Sequence, residues 1–275
     1  MKAVAWFLAA FFISSVASAA GWSSGAPAVR AAVRRGAPLV VVVVVPLCDN
    51  AQINCGAHGL GSPGSLRSNL YWGALYGVPR FFEKKELGYQ ALEAQHEPEG
   101  VLERRAYRRM IPGTRWGRRD KVELLVVLDA VHGARINDAV DRFYRTAASG
   151  AQITIADRGK TRRVKVSVSG YAGHNRLMDG IKLPELPSTK AAALPSFVLA
   201  CFSERYFGSA LERVGSMPLV TTTGYMAPEG YVVEATVRAL GEDGTASEVR
   251  GAAARAYARW QKMDLPSAAW LFDKR

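Results

Sequence analysis

Apolar positions along the chain fall into short continuous runs and longer stretches at helical spacing, and the two kinds alternate. Leu39 to Pro46 (LVVVVVVP) is a continuous β-branched run. It is too short for a helix and suits a strand buried on both faces. Val122 to Leu128 (VELLVVL) predicts a second buried strand, closed by Asp129. Shorter runs at Ile153 to Ala156, Phe197 to Ala200 and Pro218 to Thr223 predict further strands, and another lies within 101–110. Arg163 to Gly170 (RVKVSVSG) alternates charged and apolar residues, the pattern of a half-buried strand. Between these runs, Arg67 to Glu86 has helical spacing, with Pro79 ending or bending the helix. Ile136 to Ala148 predicts an amphipathic helix ended by Gly150. A helix starts near Ser203 or Glu204, and two more cover 227–240 and 246–262, the last with Val249, Ala253, Ala256 and Trp260 on one face. Strands alternating with helices predict an α/β fold, a mostly parallel sheet with helices on both faces. Neither a repeat nor a linker interrupts 38–275, which is read as a single domain.

The N-terminus follows a different pattern. Residues 1–19 (MKAVAWFLAAFFISSVASA) combine Lys2, an apolar stretch from Ala3 to Ile13 and a small-residue exit at Ala17-Ser18-Ala19. This is the pattern of a secretory signal peptide and predicts a periplasmic or secreted protein. Residues 20–37, rich in Ala, Gly, Ser and Arg, read as a flexible mature N-terminus. After the leader no apolar run reaches the ~18 residues of a membrane span, so an integral membrane protein is not expected. Export also changes the reading of the three cysteines. Cys48 and Cys55 share one Gly-rich loop and are the natural disulfide pair, which leaves Cys201 free. With His58 they form C-x6-C-x2-H, which matches no common zinc pattern, so neither a metal nor a cofactor is expected.

In open parallel sheets, ligands bind beyond the carboxyl ends of the strands. Here those ends are polar. Cys48, Asp49 and Asn50 follow the first strand, Asp129 ends the second, and Gly173, His174 and Asn175 follow the run to Gly170. Cys201 directly follows FVLA. If the last two strands are neighbours, the imidazole of His174 faces the thiol of Cys201 across one cleft, a cysteine nucleophile with a histidine base. A helix N-terminus after Cys201 would favour thiolate, and amides there and near Gly173 would serve an oxyanion. Asp49, Asn50 and Asp129 are read as lining the same cleft, where they bind a basic substrate side chain or else cap helices. The bland alternative is a core cysteine and a turn histidine. His58, His96 and His132 have no evident partners. The block Asn69 to Trp72 is core packing or a pocket wall, and Glu229 belongs to the first turn of a helix.

The formal net charge of +12 in 275 residues favours anionic partners. The arginines at 104, 105, 108, 109, 115, 118 and 119 form an exposed loop or a contact for an anionic envelope polymer. No nucleic-acid module is present, and nucleic acid is not an expected partner.

The stretch VSVSGYAGHNRLMDG (166–180), with SFVLACFSERYF (196–207), resembles the catalytic half of caspase-like cysteine peptidases, a group with the caspases, gingipains, separases and CHAT-type peptidases. That pattern is strand then His-Gly, and strand then Ala-Cys. The resemblance implies a caspase-like fold with His174 as base and Cys201 as nucleophile, acting on a peptide or protein substrate. Asn175 stands where the group has glycine, and the interval from His174 to Cys201 is short. The blocks PLCDN, SNLYWGALYG, GHNRLMDG and TTGYMAPEGY are also similar to those of a family of exported bacterial proteins with no known activity. The expectation is an exported cysteine peptidase with a Cys-His dyad forming an acyl-enzyme. The rivals are a non-catalytic envelope binding protein using the same cleft, and a structural protein holding an anionic polymer on its basic surface.

Overall fold

The computed structural model describes residues 20–186 and 192–272; the leader read over 1–19 lies outside them. After a 3-10 turn at Trp22–Gly25 the elements in chain order are α1 (Pro27–Arg34), β1 (Leu39–Pro46), α2 (Val78–Phe82), β2 (Gln90–Ala91), β3 (Val101–Ile111), β4 (Val122–Val131), α3 (Ile136–Ser149), β5 (Gln152–Asp157), β6 (Lys160–Lys165), β7 (Val168–Ala172), β8 (Ser196–Leu199), α4 (Ser209–Arg213), β9 (Pro218–Val220), α5 (Gly230–Gly241), α6 (Ala246–Gln261) and α7 (Leu265–Phe272). Seven strands form a mixed, mostly parallel sheet in the order β2-β3-β4-β1-β7-β8-β9. The five strands from β4 to β9 in that order run parallel, and β3 joins β4 antiparallel. β5 and β6 form a separate hairpin. The protein is therefore α/β.

Side chains alternate across a strand, and β1 distributes its valines accordingly. Leu39, Val41, Val43 and Val45 pack in one cluster with α5 and α6 residues such as Val233, Val237, Val249 and Ala253. Val44 belongs to a second cluster, with Phe143 of α3 and Leu211 of α4. Val40 and Val42 meet Ile155 and Val164 of the hairpin. A continuous apolar run is what a strand covered on both sides requires.

Four readings of the sequence are corrected. Residues 163–170 are not one half-buried strand. The alternation belongs to the end of β6, and Val168 to Ala172 forms a separate, fully buried strand. Its Ser169 is paid for inside by a hydrogen bond to the Phe143 carbonyl, 3.2 Å. Gly170 is required because a Cβ there would stand 2.3 Å from the Phe197 ring. Residues 67–77 are turns, not helix, and Pro79 sits in the first turn of α2, where its missing N–H costs no bond. Residues 20–37 are not a loose N-terminus. Trp22 is only 3% exposed and sits edge-on to Trp116, and Arg30 pairs with Asp243 at 2.8 Å. Asp129 does not close β4, which continues to Val131, and it lies inside the strand opposite Val44.

Candidate functional site

β7 and β8 are adjacent and parallel, with Ala172 opposite Leu199. His174 and Cys201 each stand two residues past that paired position, so the sheet delivers them to one edge at equal depth. Asn175 joins the two loops. Its Nδ2 donates to the Cys201 carbonyl at 2.6 Å, and its Oδ1 accepts from the Leu177 amide at 3.1 Å. Asn175 is fully buried, so it is a strut between the loops and not a substrate-facing donor. This corrects its reading as a substrate contact.

Each member of the pair has its own partner. His174 Nε2 lies 2.7 Å from Asp179 Oδ2, and the His174 carbonyl accepts from the Tyr171 hydroxyl at 2.7 Å. Asp179 also takes a hydrogen bond from Arg176 at 2.8 Å. Burial pushes the Asp179 carboxyl up, but the hydrogen bonds from Arg176 and His174 outweigh it and hold the carboxyl below its usual range. The carboxylate therefore fixes the ring through Nε2 and leaves Nδ1 for another partner. The Cys201 thiol, partly exposed, is the free cysteine and lies against the Met226 backbone, 3.4 Å from its amide nitrogen and 3.5 Å from its carbonyl. Among the described residues His174 and Cys201 share no hydrogen bond with each other. Catalytic hydrogen bonds are often long before substrate arrives, so the separation does not remove the pair from consideration.

The thiol has ionisable company that the sequence did not suggest. Burial raises the Tyr71 hydroxyl well above its ordinary pKa, and the nearby Cys201 and Glu229 add to the effect. Tyr257 is raised for the same reasons in the same order, opposed by its hydrogen bond with the Ala227 amide. Burial raises the Glu229 carboxyl also, partly offset by Tyr231. Tyr71 precedes α2 and Tyr257 comes from α6, so two distant segments bring hydroxyls within electrostatic reach of the sulfur, and Glu229 at the mouth of α5 acts on both of them. Phe202, immediately after Cys201, has φ of +48°. A bulky residue in the left-handed region costs about 1–3 kcal/mol, and such strain gathers at working sites.

The helix dipole expected after Cys201 is not there to use. A π-helical turn over Glu204–Gly208 leads into the five-residue α4. The amides of Phe202, Ser203 and Glu204 are committed to the Gly224 carbonyl, Thr222 Oγ1 and the Thr222 carbonyl. Gly173 is no oxyanion donor either, because its amide bonds the Leu199 carbonyl at 3.2 Å. Its glycine identity is steric, since a Cβ would meet Pro46 Cγ at 2.6 Å.

The other acidic and amide candidates are structural. Asp49 Oδ1 accepts from the Ala51 amide, and Asn50 bonds the Cys55 amide and the Gly56 carbonyl, which makes both of them turn-formers. Asp129 is 1% exposed and takes a two-pronged hydrogen bond from Arg104 at 2.6 and 2.7 Å, so it offers no charge to a substrate. Most of the arginine cluster is likewise partnered. Arg105 meets Glu83, Arg108 meets Asp157 and Arg115 meets Glu248. His132 caps a turn by accepting from the Ala134 amide. Among the described residues no group of three or more His, Cys, Asp or Glu could hold a metal ion, and no helix is long and apolar enough to cross a membrane.

Cys48 and Cys55 form a disulfide. The loop is also held by Asn69, which is fully buried and bonds the Cys48 amide, the Cys48 carbonyl, the Ser62 carbonyl and the Tyr71 amide. With a sequence separation of 7, loop-closure entropy assigns the bridge about 2–3 kcal/mol. Urea unfolding of Cys48→Ser/Cys55→Ser should show that loss. An unchanged midpoint would mean that Asn69 alone fixes the loop. Compared with protein-family models, with curated proteins and with solved structures, the chain matches none of them.

Proposed function

We propose that this protein is an exported thiol hydrolase with a caspase-like sheet, a peptidase in which Cys201 is the nucleophile and His174 the base. The carrying observation is the register of β7 on β8, which places both residues two positions beyond one paired couple, with Asn175 tying their loops. Asp179 is added to the pair as the group that orients the imidazole. The thiol gives its proton to His174 and the sulfur attacks the amide carbonyl. Collapse of the adduct expels the amine, which takes the proton from the imidazolium. Water, deprotonated by His174, then attacks the thioester, the acid leaves, and the imidazolium returns its proton to the departing Cys201 thiolate. The parallel order β4-β1-β7-β8-β9 suits the caspase-like reading. The Cys48–Cys55 bridge suits an oxidising compartment, the periplasm or the exterior, as the leader pattern does.

A second reading, a binding protein using the same edge, draws on the separate partners of the two side chains. Alkylation separates the two. At about pH 6.5 a free thiol, with its pKa of ~8.5, is only about 1% thiolate. Native Cys201 should react with iodoacetamide roughly tenfold faster than the same residue in the urea-unfolded chain, and His174→Ala should abolish the advantage. A native thiol slower than the unfolded one sinks the hydrolase reading. A peptide pool should then show cleavages that vanish in Cys201→Ala.

A further inference from the structure

A cavity of about 380 Å³ lies between the segment after α2 and the outer faces of α5 and α6. One wall is aromatic, from Phe81, Tyr231 and Trp260. Tyr231 and Trp260 stack at 5.9 Å, and Phe81 stands edge-on to Trp260 at 5.3 Å. The rim is cationic, with Lys84, Arg238, Arg255 and Arg259 against Glu86 and Glu234. Arg238 is already engaged by the buried Glu234 at 3.2 Å. Among the described residues no carboxylate lies within ion-pair distance of Lys84, Arg255 or Arg259, in contrast to the partnered arginines of β3. Lys84 instead lies over the rings of Phe81 and Trp260, at 4.0 and 4.6 Å. Three cations therefore face one cavity with a single exposed glutamate beside them.

We propose that this cavity binds an extended acidic segment of a polypeptide. Two geometric facts select that ligand. Arg255 and Arg259 are one helical turn apart on α6, which separates neighbouring side chains on a helix face by about 5–6 Å. Alternate side chains on an extended chain repeat at about 6.5 Å, so carboxylates at every second position match the spacing at which the two arginine side chains leave the helix. Phe81 and Tyr231 are almost fully buried, so the half-buried Trp260 is the part of the wall that takes an apolar residue beside them. A phosphate or another compact anion gives no reason for that wall. Neither His174 nor Cys201 lines the cavity, and its occupancy does not depend on the hydrolase reading.

The test uses the mature chain as Cys201→Ala, so that the probe is not cut. The probe is a fluorescein-labelled hexapeptide with glutamate at alternate positions and leucine or tryptophan between, followed by anisotropy. Saturable binding is expected, weakened at least tenfold by Arg255→Glu/Arg259→Glu. Both arginines are exposed, so the thermal midpoint should hold. Raising NaCl from about 50 to about 500 mM should weaken binding too, because the rim charges are solvent-facing. The control reversal Arg163→Glu/Lys165→Glu, on exposed positions of β6, should change affinity less than twofold. An equal loss from the control overturns the site in favour of general electrostatics. Dextran sulfate binding as tightly as the peptide, undiminished in Trp260→Leu, overturns it in favour of an acidic glycan. A lysine-for-glutamate peptide that binds equally well overturns it as well.

Discussion

Asp129→Asn should cost about 3 kcal/mol of unfolding free energy, the lower end of the range for breaking a buried ion pair. The substitution leaves the Arg104 guanidinium, in a residue only 9% exposed, without its counter-charge. A carboxamide has one oxygen to accept with, whereas the carboxylate takes both guanidinium bonds. The lower end is chosen because a cavity of about 280 Å³ borders the pair and lets water reach the freed charge. Removing both charges tells a different story. Arg104→Met/Asp129→Leu should recover most of the loss or exceed the parent, since two desolvation costs vanish together. Urea midpoints with unchanged slopes measure both. A single variant within 1 kcal/mol of the parent would mean that water already screens the pair.

The second large effect is expected far from the sheet edge. Trp22→Ala should lose about 3–5 kcal/mol, the usual cost of emptying a buried indole site. Two interactions add to packing there. The Trp22 indole N–H donates to the Leu240 carbonyl at 2.8 Å, and Trp116 does the same for the Gly241 carbonyl at 2.7 Å. These carbonyls belong to the last turn of α5, where the Leu240 carbonyl also accepts from the Asp243 amide at 3.1 Å and the indoles supply the remaining donors. Trp22→Phe keeps the ring contact and drops the hydrogen bond, so about 1 kcal/mol should separate it from the parent. Chemical denaturation decides, and an alanine variant as stable as the parent would return 20–26 to the status of a loose end.

The same residues show what could be read from the chain and what could not. β1 and β4 were legible because continuous valine and leucine runs have few alternatives. α3 was legible from its periodicity and its terminal Gly150. β7 was hidden because Ser169, Gly170 and Tyr171 do not look like a core, and only tertiary partners make them one. The turns after Arg67 were misread because apolar spacing cannot distinguish a helix from a loop held by one buried asparagine. Trp22 was lost in a composition of small residues and arginine. Arg104 and Asp129 were given to opposite environments, an exposed loop and a cleft, since ion pairing across strands leaves no local mark. At the site, the strand-end rule placed His174 and Cys201 on one edge. Asp179 escaped notice, although it is five residues past the histidine, because a 3-10 turn over Arg176–Asp179 folds it back. Tyr71 and Tyr257 were not connected with the sulfur because they reach its neighbourhood from separate segments.

The central place of β1 has a consequence for the life of the newly made chain. Val41 lies between Val126 and Val168, partners 85 and 127 positions further along. Neither edge of β1 can be paired until those segments exist, and contacts so distant in sequence form slowly. In that interval six consecutive valines stand as an uncharged, β-prone stretch with two open edges, the kind of segment that seeds aggregates. The run that makes the centre of the folded sheet is thus the one the unfolded chain most needs shielded, and a holding chaperone would find its first grip there.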